Sequence, residues 1–194
     1  MQTKSDSSSH SPTKQHSPAK QKVVTAFRLG GWLAFWLEIG LAVASCIVLF
    51  FAASGRNFSS AANSGISIGI FWAVCGVTLL YFNAYLAFRY TRIAKRLVHP
   101  NPDLHPKKAD TLQILRLAVM VGLVGIFLSL LGAGATVGVL VAKSVSQPPG
   151  VAITDPNKII RALDVFVEVA NINGIAGHFV GVVTSLGLLN WLNR

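Results

Sequence analysis

The sequence predicts an all-α, polytopic membrane protein with four transmembrane helices and both termini on the cytoplasmic side (the stromal side in a plastid). Hydrophobic residues make up 52% of the 194 residues and charged residues only 12%, whereas soluble domains average about 25% charged residues. The hydrophobic residues are concentrated in four segments, each long enough to cross a hydrocarbon core about 30 Å thick. Lysine and arginine are concentrated in the N-terminal segment and in one connection, which orients the spans.

The N-terminal segment is polar and has no hydrophobic periodicity. It is rich in Ser, Lys, Pro and His, and such a composition cannot bury enough apolar surface to offset the loss of chain entropy on folding. We therefore expect residues 1–24 to be disordered. Residues 25–194 are expected to form a single four-helix transmembrane domain, with spans at about 28–54, 65–89, 115–142 and 159–191.

The first two spans differ in their polar residues. The first carries one acidic residue, Glu38, near its middle, on the same helix face as Gly31 and Ser45. Glu38 is a candidate functional residue, because an ionisable group inside a bilayer is costly. The second span ends with Tyr81 and Tyr85, whose amphipathic rings suit the membrane–water interface.

The third span is nearly free of polar residues and repeats small residues every four positions. Such small-xxx-small patterns let helix backbones approach closely in lipid, although glycine is also common in membrane helices without that role. We interpret this span as a central packing helix. The glycines assigned to helix packing in the third and fourth spans are Gly122, Gly125, Gly134, Gly138, Gly174, Gly177 and Gly181.

The fourth span combines an apolar sequence with a polar stripe. At about 100° per residue, its polar residues fall within roughly one third of the helix circumference, so the stripe must face protein or water. The dipeptide Asp155–Pro156 predicts a helix start near Pro156, and Arg161 with Asp164 is interpreted as a surface pair. The stripe consists of Arg161, Asp164, Glu168, Asn171, His178 and Ser185.

Basic residues set the predicted topology and the expected partners. The net charge of +10, concentrated at one membrane face, favours an anionic lipid surface. A nucleic-acid partner is not expected, because no soluble domain with basic and aromatic residues interleaved is present. The residues expected to contact anionic lipid, in the connection between the second and third spans, are Arg89, Arg92, Lys95, Arg96, Lys107 and Lys108.

The candidate site combines the acidic residue of the first span with the stripe of the fourth. Antiparallel packing would place Glu38 and His178 at similar depth in the membrane. Asn171 and Glu168 would then lie nearer the outer face of the membrane, opposite the face that carries the termini. A carboxylate and an imidazole could share a proton or bind a cation, and these donors suit borderline divalent metals. The alternative is that these residues only lock the helices together. No enzyme motif is present, so we expect neither catalysis nor a cofactor.

The stretch QPPG…DPNKIIRALDVFVEVANINGIAGHFVG, within residues 147–181, resembles a cyanobacterial and plastid membrane family of unknown function. The four spans and the basic connection fit the same family, and the resemblance extends from about Phe27 onward. Plant members lie in the chloroplast inner envelope and have been described both as a protein-import translocon component and as an iron permease. Since no long transit peptide precedes the first span, the resemblance implies a cyanobacterial plasma or thylakoid membrane, or the plastid inner envelope for a plant protein.

Two functional hypotheses follow. The first is a small permease or channel subunit for iron or another metal ion, with Glu38, Glu168, Asn171 and His178 along the path. The second is a non-transporting scaffold, assembly or protein-translocon subunit of a photosynthetic membrane. Four helices enclose little space, so we expect a homo-oligomer or a membrane-protein partner in either case.

Overall fold

The computed structural model describes residues 18–57, 64–146, 150 and 159–193 of the chain. Each of its four long helices contains a segment long and apolar enough to cross a membrane. The predicted all-α fold with four membrane-spanning helices is therefore confirmed. The helices are α1 (Pro18–Asn57), α2 (Ser64–Leu97), α3 (Lys108–Val145) and α4 (Ala162–Asn193).

The helix ends differ from the predicted span boundaries. α1 begins at Pro18, so residues 18–24 are helical although they were assigned to the disordered tail. Proline suits the first turn of a helix, and the Ala, Lys and Gln residues that follow are good helix formers. α4 begins at Ala162 rather than near Pro156. Residues 1–17 and the predicted Asp155 cap lie outside the described residues.

Buried positions repeat with an average spacing of 3.5 residues, and α3 shows this most clearly. Steps of four and three alternate along its inward face, as in the helices of a left-handed bundle. Most of these positions hold small side chains, which lets neighbouring helices approach closely. The buried residues of this face are Thr111, Leu115, Ala118, Gly122, Gly125, Ser129, Gly132, Thr136 and Lys143.

The helices form a closed ring in which each packs against the next in sequence and α4 returns against α1. Across the bundle, α2 contacts α4. The expectation that the third span is the central helix is therefore wrong. Its inward glycines supply space rather than side chains, and residues of α4 such as Asn171 and His178 fill that space.

The surface of the bundle is apolar while its interior contains polar residues. Phe50, Phe71 and Phe127 are 59–68% exposed on the outside, as lipid-facing residues would be. Glu38 and His178 are fully buried. This distribution places Glu38 and His178 in the interior, where they contact only other helices.

Candidate functional site

A single stripe on α4 organises the interior of the bundle. Asp164, Asn171, His178 and Ser185 follow one another at seven-residue spacing, and all four are buried. From Asp164 to Ser185 the helix rises about 32 Å at 1.5 Å per residue, which matches a hydrocarbon core about 30 Å thick. We call this stripe and its partners on the other helices the polar column; the partners are Glu38, Asn83, Tyr90, Thr136 and Lys143.

One end of the polar column is closed by a buried ion pair. Lys143 Nζ lies 2.6 Å from Asp164 Oδ2, and the two side chains are only 8% and 9% exposed. Lys143 also donates to the Ile159 carbonyl oxygen at 3.3 Å, and the Arg161 backbone N–H donates to Asp164 Oδ2 at 3.2 Å. The predicted surface pair between the Arg161 and Asp164 side chains is therefore wrong, since the buried Lys143 ammonium neutralises Asp164.

One turn further along α4, Glu168 extends the polar column. Thr136 Oγ1 donates to Glu168 Oε2, and the same hydroxyl lies within hydrogen-bond distance of the Gly132 and Ala133 carbonyl oxygens. Glu168 is half-buried rather than buried. This residue therefore sits at the edge of the polar column and not on its axis.

The middle of the polar column is built by side chains that fit over glycines. Asn171 Nδ2 donates to the Val167 carbonyl oxygen at 3.1 Å, and its amide lies where a Cβ on Gly132 would be. His178 lies in the same way over Gly125. Only glycine leaves room for these polar groups at the helix interface, so the two glycines position the candidate site.

The His178 ring is oriented by the backbone of α2. Its Nε2 lies 3.1 Å from the Gly76 carbonyl oxygen. A carbonyl oxygen only accepts, so Nε2 carries the proton and donates. In the neutral imidazole, Nδ1 then holds the lone pair and faces the interior as an acceptor.

Glu38 meets α2 and α4 one turn beyond His178 along the polar column. Asn83 Nδ2 donates to Glu38 Oε1 at 3.1 Å. A Cβ on Gly181 would overlap both the Glu38 carboxylate and the Asn83 amide, and Gly122 lies on the other side of that amide. Small residues on α3 and α4 thus make room for an acid–amide pair between α1 and α2.

The other end of the polar column is closed by a hydrogen bond between uncharged groups. Tyr90 Oη and Ser185 Oγ lie 2.8 Å apart and both residues are buried. Tyr90 also packs edge-on against Phe27. This end is therefore covered by an aromatic cluster rather than by a salt bridge.

The direct link between Glu38 and His178 that the sequence suggested is not formed. Each side chain bonds instead to α2, through Asn83 and the Gly76 carbonyl group, and in the described ranges no hydrogen bond joins the two. Glu38, Asn171 and His178 are fully buried. The three lie in one polar column, but at successive levels rather than at a single point.

Four buried side-chain atoms of the polar column have no hydrogen-bond partner among the described residues. Three are acceptors as the bonds above orient them, because the amide nitrogens of the two asparagines and Nε2 of the histidine are already donating. The fourth, a glutamate oxygen, is an acceptor when the carboxyl group is ionised. The atoms are Glu38 Oε2, Asn83 Oδ1, Asn171 Oδ1 and His178 Nδ1.

A metal ion bound here would depend on amide or backbone oxygens as well as on the usual ligands. In the described part of the chain, no group of three or more His, Cys, Asp or Glu residues lies close enough to hold a metal. Glu38 and Asn83 would supply hard oxygen donors, and His178 a borderline nitrogen donor. This donor set favours weak rather than tight binding of a cation.

The predicted packing glycines fall into two groups. At five of them a Cβ would come within 3 Å of a neighbouring helix's side chain, whereas Gly134 and Gly138 have nothing within 4 Å and do not contribute to packing inside this chain. The five are Gly122, Gly125, Gly174, Gly177 and Gly181.

The predicted lipid-contacting residues lie at the Tyr90 end of the bundle. Arg89 is half-buried and the other five are exposed. Arg92 stacks over the Phe88 ring, with 5.2 Å from its guanidinium carbon to the ring centroid. They therefore form one basic surface where α2 ends and α3 begins.

Sequence reasoning missed several residues of the polar column, although a signal for them exists. Gly76, Asn83 and Tyr90 are seven residues apart on α2, and so are Thr136 and Lys143 on α3. The same seven-residue spacing marks the stripe of α4. Searching every span for this repeat would have found the α2 and α3 partners of Glu38 and Asp164.

Comparison with known proteins gives the chain a family. The family described as "Protein of unknown function (DUF3611)" matches residues 17–193. The chain is 31% identical over 177 residues to "Protein TIC 21, chloroplastic" of Arabidopsis thaliana, an alignment that covers 87% of this chain and 57% of that protein. The chain thus spans little more than half the length of this relative. No solved structure matches the chain.

The resemblance noted in the sequence is therefore confirmed, and the membrane assignment rests on two agreeing findings. The four helices are long and apolar enough to cross a membrane, and the relative is a chloroplast protein. The protein is a multi-pass integral membrane protein. It belongs to the DUF3611 family, whose function is unknown.

Proposed function

We propose that this protein is a small cation permease or channel subunit and that the polar column is its path. The four unpartnered buried acceptors carry the proposal. An acceptor buried without a hydrogen bond costs about 1–3 kcal/mol, and such groups in a native structure call for an explanation such as a water or an ion. If these residues served only to lock the helices together, we would expect their polar atoms to form hydrogen bonds with one another.

The chemistry of these atoms favours a positively charged or hydrogen-bond-donating occupant. Glu38 Oε2, Asn83 Oδ1, Asn171 Oδ1 and the His178 Nδ1 lone pair all accept, whereas the side-chain nitrogens of Asn83, Asn171 and His178 each already have a hydrogen-bond partner. An anion would meet only repulsion from them. Iron, which the family resemblance suggests, is the first candidate substrate, and other divalent metal ions follow.

The length of the polar column supports a path rather than an isolated site. It runs about 32 Å along α4, from the Lys143–Asp164 ion pair to the Tyr90–Ser185 hydrogen bond. Glu38, Asn171 and His178 have no exposed surface, so water does not reach them in this conformation. Transport therefore requires movement of α4 relative to its neighbours, with one end pair opening at a time.

Uptake into liposomes tests this proposal. Purified protein is reconstituted with a metal-sensitive fluorophore inside, and Fe²⁺ and Mn²⁺ entry is compared with K⁺ entry. Glu38→Gln keeps the bond from Asn83 but removes the charge, and His178→Gln keeps a donor for the Gly76 carbonyl but replaces the imidazole nitrogen by an amide oxygen, which suits borderline divalent metals less well. Each is expected to lower metal entry by about tenfold or more, since hydrogen bonds to charged groups contribute about 1.5–3 kcal/mol.

The matched control is Ser45→Ala, which changes a buried residue on the same face of α1. Ser45 donates only a long bond of 3.4 Å to the Ala170 carbonyl oxygen, so entry should be unchanged. Thermal unfolding of each variant shows that it is folded. No metal entry above empty liposomes, or equal entry in wild type and both Gln variants, would rule out the polar column as a path.

A second candidate function, that of a scaffold or assembly subunit, is favoured by a different observation. Gly134 and Gly138 lie four residues apart on α3 with nothing within 4 Å, which is the spacing that lets a further helix approach closely. We infer that a second copy of the chain packs there.

The oligomeric state of the purified protein tests this candidate. Gly134→Leu combined with Gly138→Leu should dissociate the oligomer, whereas Gly40→Leu, at an equally open position of α1, should not. An unchanged mass for the double variant would contradict it. A dissociated variant that still transports would separate the two functions.

We also propose that both termini face the cytoplasm or stroma. Phe27, near the start of α1, packs against Tyr90, near the end of α2, so the basic residues of both segments lie at one end of the bundle. Single cysteines placed at Lys22 and Lys107, after replacement of Cys46 and Cys75, should react with a membrane-impermeant maleimide only in inverted vesicles. Reaction in right-side-out vesicles would reverse the topology.

A further inference from the structure

A pocket of about 520 Å³ opens at the basic end of the bundle, between the end of α2 and the start of α3. It lies apart from the polar column and shares none of that column's side chains. Its lining residues come from the last four turns of α2, from Pro106 and from the first turns of α3. The function proposed above makes no use of it.

Three arginines line the pocket from α2. Arg89, Arg92 and Arg96 are three and four residues apart, so they lie on one face of the helix. In the ranges that the structure describes, none of them forms a salt bridge with a carboxylate. Like charges at this spacing destabilise a helix unless a counter-ion is present. The cluster therefore favours an anion, and among the described residues no carboxylate forms an ion pair with it.

The α3 side of the pocket adds to this electrostatic preference. A helix N-terminus carries partial positive charge, and α3 starts here without a side-chain cap at Lys107. Asp110 and Thr111 line the pocket from the first turns of α3. With three arginines and one aspartate the lining carries a net charge of +2 (3 − 1), so the single carboxylate does not neutralise it.

The pocket is also graded from apolar to basic along the membrane normal. Tyr85 and Phe88 line it towards the membrane, while Arg92 and Arg96 line it towards the aqueous side. From Tyr85 to Arg96 the helix rises about 16 Å, whereas the headgroup region of one leaflet is about 5–8 Å thick. The pocket is therefore long enough to hold a phosphate group at its basic end together with a glycerol and the first acyl carbons at its aromatic end.

We propose that this pocket binds an anionic glycerophospholipid, with its phosphate on the three arginines and its glycerol and first acyl carbons against Tyr85 and Phe88. Arginine guanidinium groups bind phosphate through paired hydrogen bonds. The apolar wall gives a lipid an advantage over free phosphate, because only the lipid fills both ends of the pocket. This site is specific, whereas the exposed Lys95 and Lys108 nearby offer only general attraction to an anionic surface.

Lipid retention and thermal unfolding of the detergent-purified full chain test the proposal. The probes are dioleoylphosphatidylglycerol, dioleoylphosphatidylcholine and inorganic phosphate. Bound lipids would be counted by native mass spectrometry. Phosphatidylglycerol is expected to remain bound and to raise the unfolding temperature, whereas phosphatidylcholine and inorganic phosphate are not.

Two variants of equal charge change make the test specific. The pocket variant carries Arg89→Gln, Arg92→Gln and Arg96→Gln, and the control carries Lys95→Gln, Lys108→Gln and Arg116→Gln, none of which lines the pocket. The pocket variant should lose at least tenfold in affinity for phosphatidylglycerol, while the control should retain it. Asp110→Asn, which removes the opposing charge, should strengthen binding several-fold.

Each remaining outcome contradicts the proposal. Equal loss in both triple variants would show general surface attraction rather than a pocket. An equal response to inorganic phosphate would assign the site to a free anion, and an equal response to phosphatidylcholine would remove the role of headgroup charge. If Asp110→Asn left phosphatidylglycerol binding unchanged or weakened it, the lipid would not lie in this pocket. This outcome decides the question even if the triple pocket variant fails to fold.

Discussion

At the ends of the polar column, the buried polar groups have partners; in its middle, several do not. Lys143 and Asp164 form an ion pair at 2.6 Å, and Tyr90 bonds to Ser185 at 2.8 Å. Between these ends lie four acceptor atoms without a hydrogen bond among the described residues. The ends and the middle are built on the same α4 stripe, so the difference arises from what the other helices contribute.

This difference separates a structural role from a binding role. The end pairs hold α4 to α3 and to α2, and both would be stable without any ligand. The middle is stable only to the extent that the packing around it offsets the unmade hydrogen bonds. The ends therefore hold α4 against its neighbours, and under the function proposed above the middle is the region that would hold a cation.

Removal of the charged closure should have the largest effect on stability. Lys143→Met leaves Asp164 buried without its counter-ion, which costs about 3–5 kcal/mol. The double variant Lys143→Met with Asp164→Leu should recover most of that loss, because neither charge remains. Unfolding in denaturant, in a mild detergent, measures both. A double variant as unstable as the single one would show that packing, not charge, holds this end.

Glycine substitutions on α3 should have the next largest effect, and only in the middle of the column. A Cβ on Gly125 would overlap the His178 ring. Gly125→Ala should therefore lower the free energy of unfolding by about 1–3 kcal/mol. Gly40→Ala on α1 is the matched control, because nothing lies within 4 Å of a Cβ at that position. It should stabilise by up to about 1 kcal/mol through helix propensity. Equal unfolding temperatures would contradict the tight fit of His178.

The uncharged closure should contribute less than the charged one. Tyr90→Phe removes the bond to Ser185 and leaves that hydroxyl unpaired, at a cost of about 1 kcal/mol. A double-mutant cycle with Ser185→Ala should give a coupling energy of about 0.5–1.5 kcal/mol. A coupling energy near zero would mean that the aromatic packing on Phe27 closes this end by itself.

Replacement of an unpartnered acceptor should change stability least. Asn171→Val replaces the amide with a shorter apolar side chain and removes Oδ1, so the free energy of unfolding should stay within about 1 kcal/mol of wild type or rise. Metal entry into liposomes should nevertheless fall. A large loss of stability would show that Asn171 is a structural residue like those at the ends, and the contrast between middle and ends would fail.

The sequence predicted the candidate site in part. The period of the fourth span identified Asn171 and His178 as inward-facing, and the cost of an acid in lipid identified Glu38; all three are fully buried. It did not predict their partners. Asn83, near the end of the second span, has no evident role until Glu38 is seen beside it, and Lys143, at the end of the third span, has none until Asp164 is seen beside it.

The sequence alone determined that this chain crosses a membrane four times and which face of α4 turns inward, because composition and period are properties of one helix at a time. Only the tertiary structure decided that Glu38 pairs with Asn83 rather than His178, and that Asp164 pairs with Lys143 rather than Arg161. Those choices depend on the rotation and depth of each helix against its neighbours. Both are set by how small residues such as Gly125 and Gly181 let two backbones approach, which no single helix encodes.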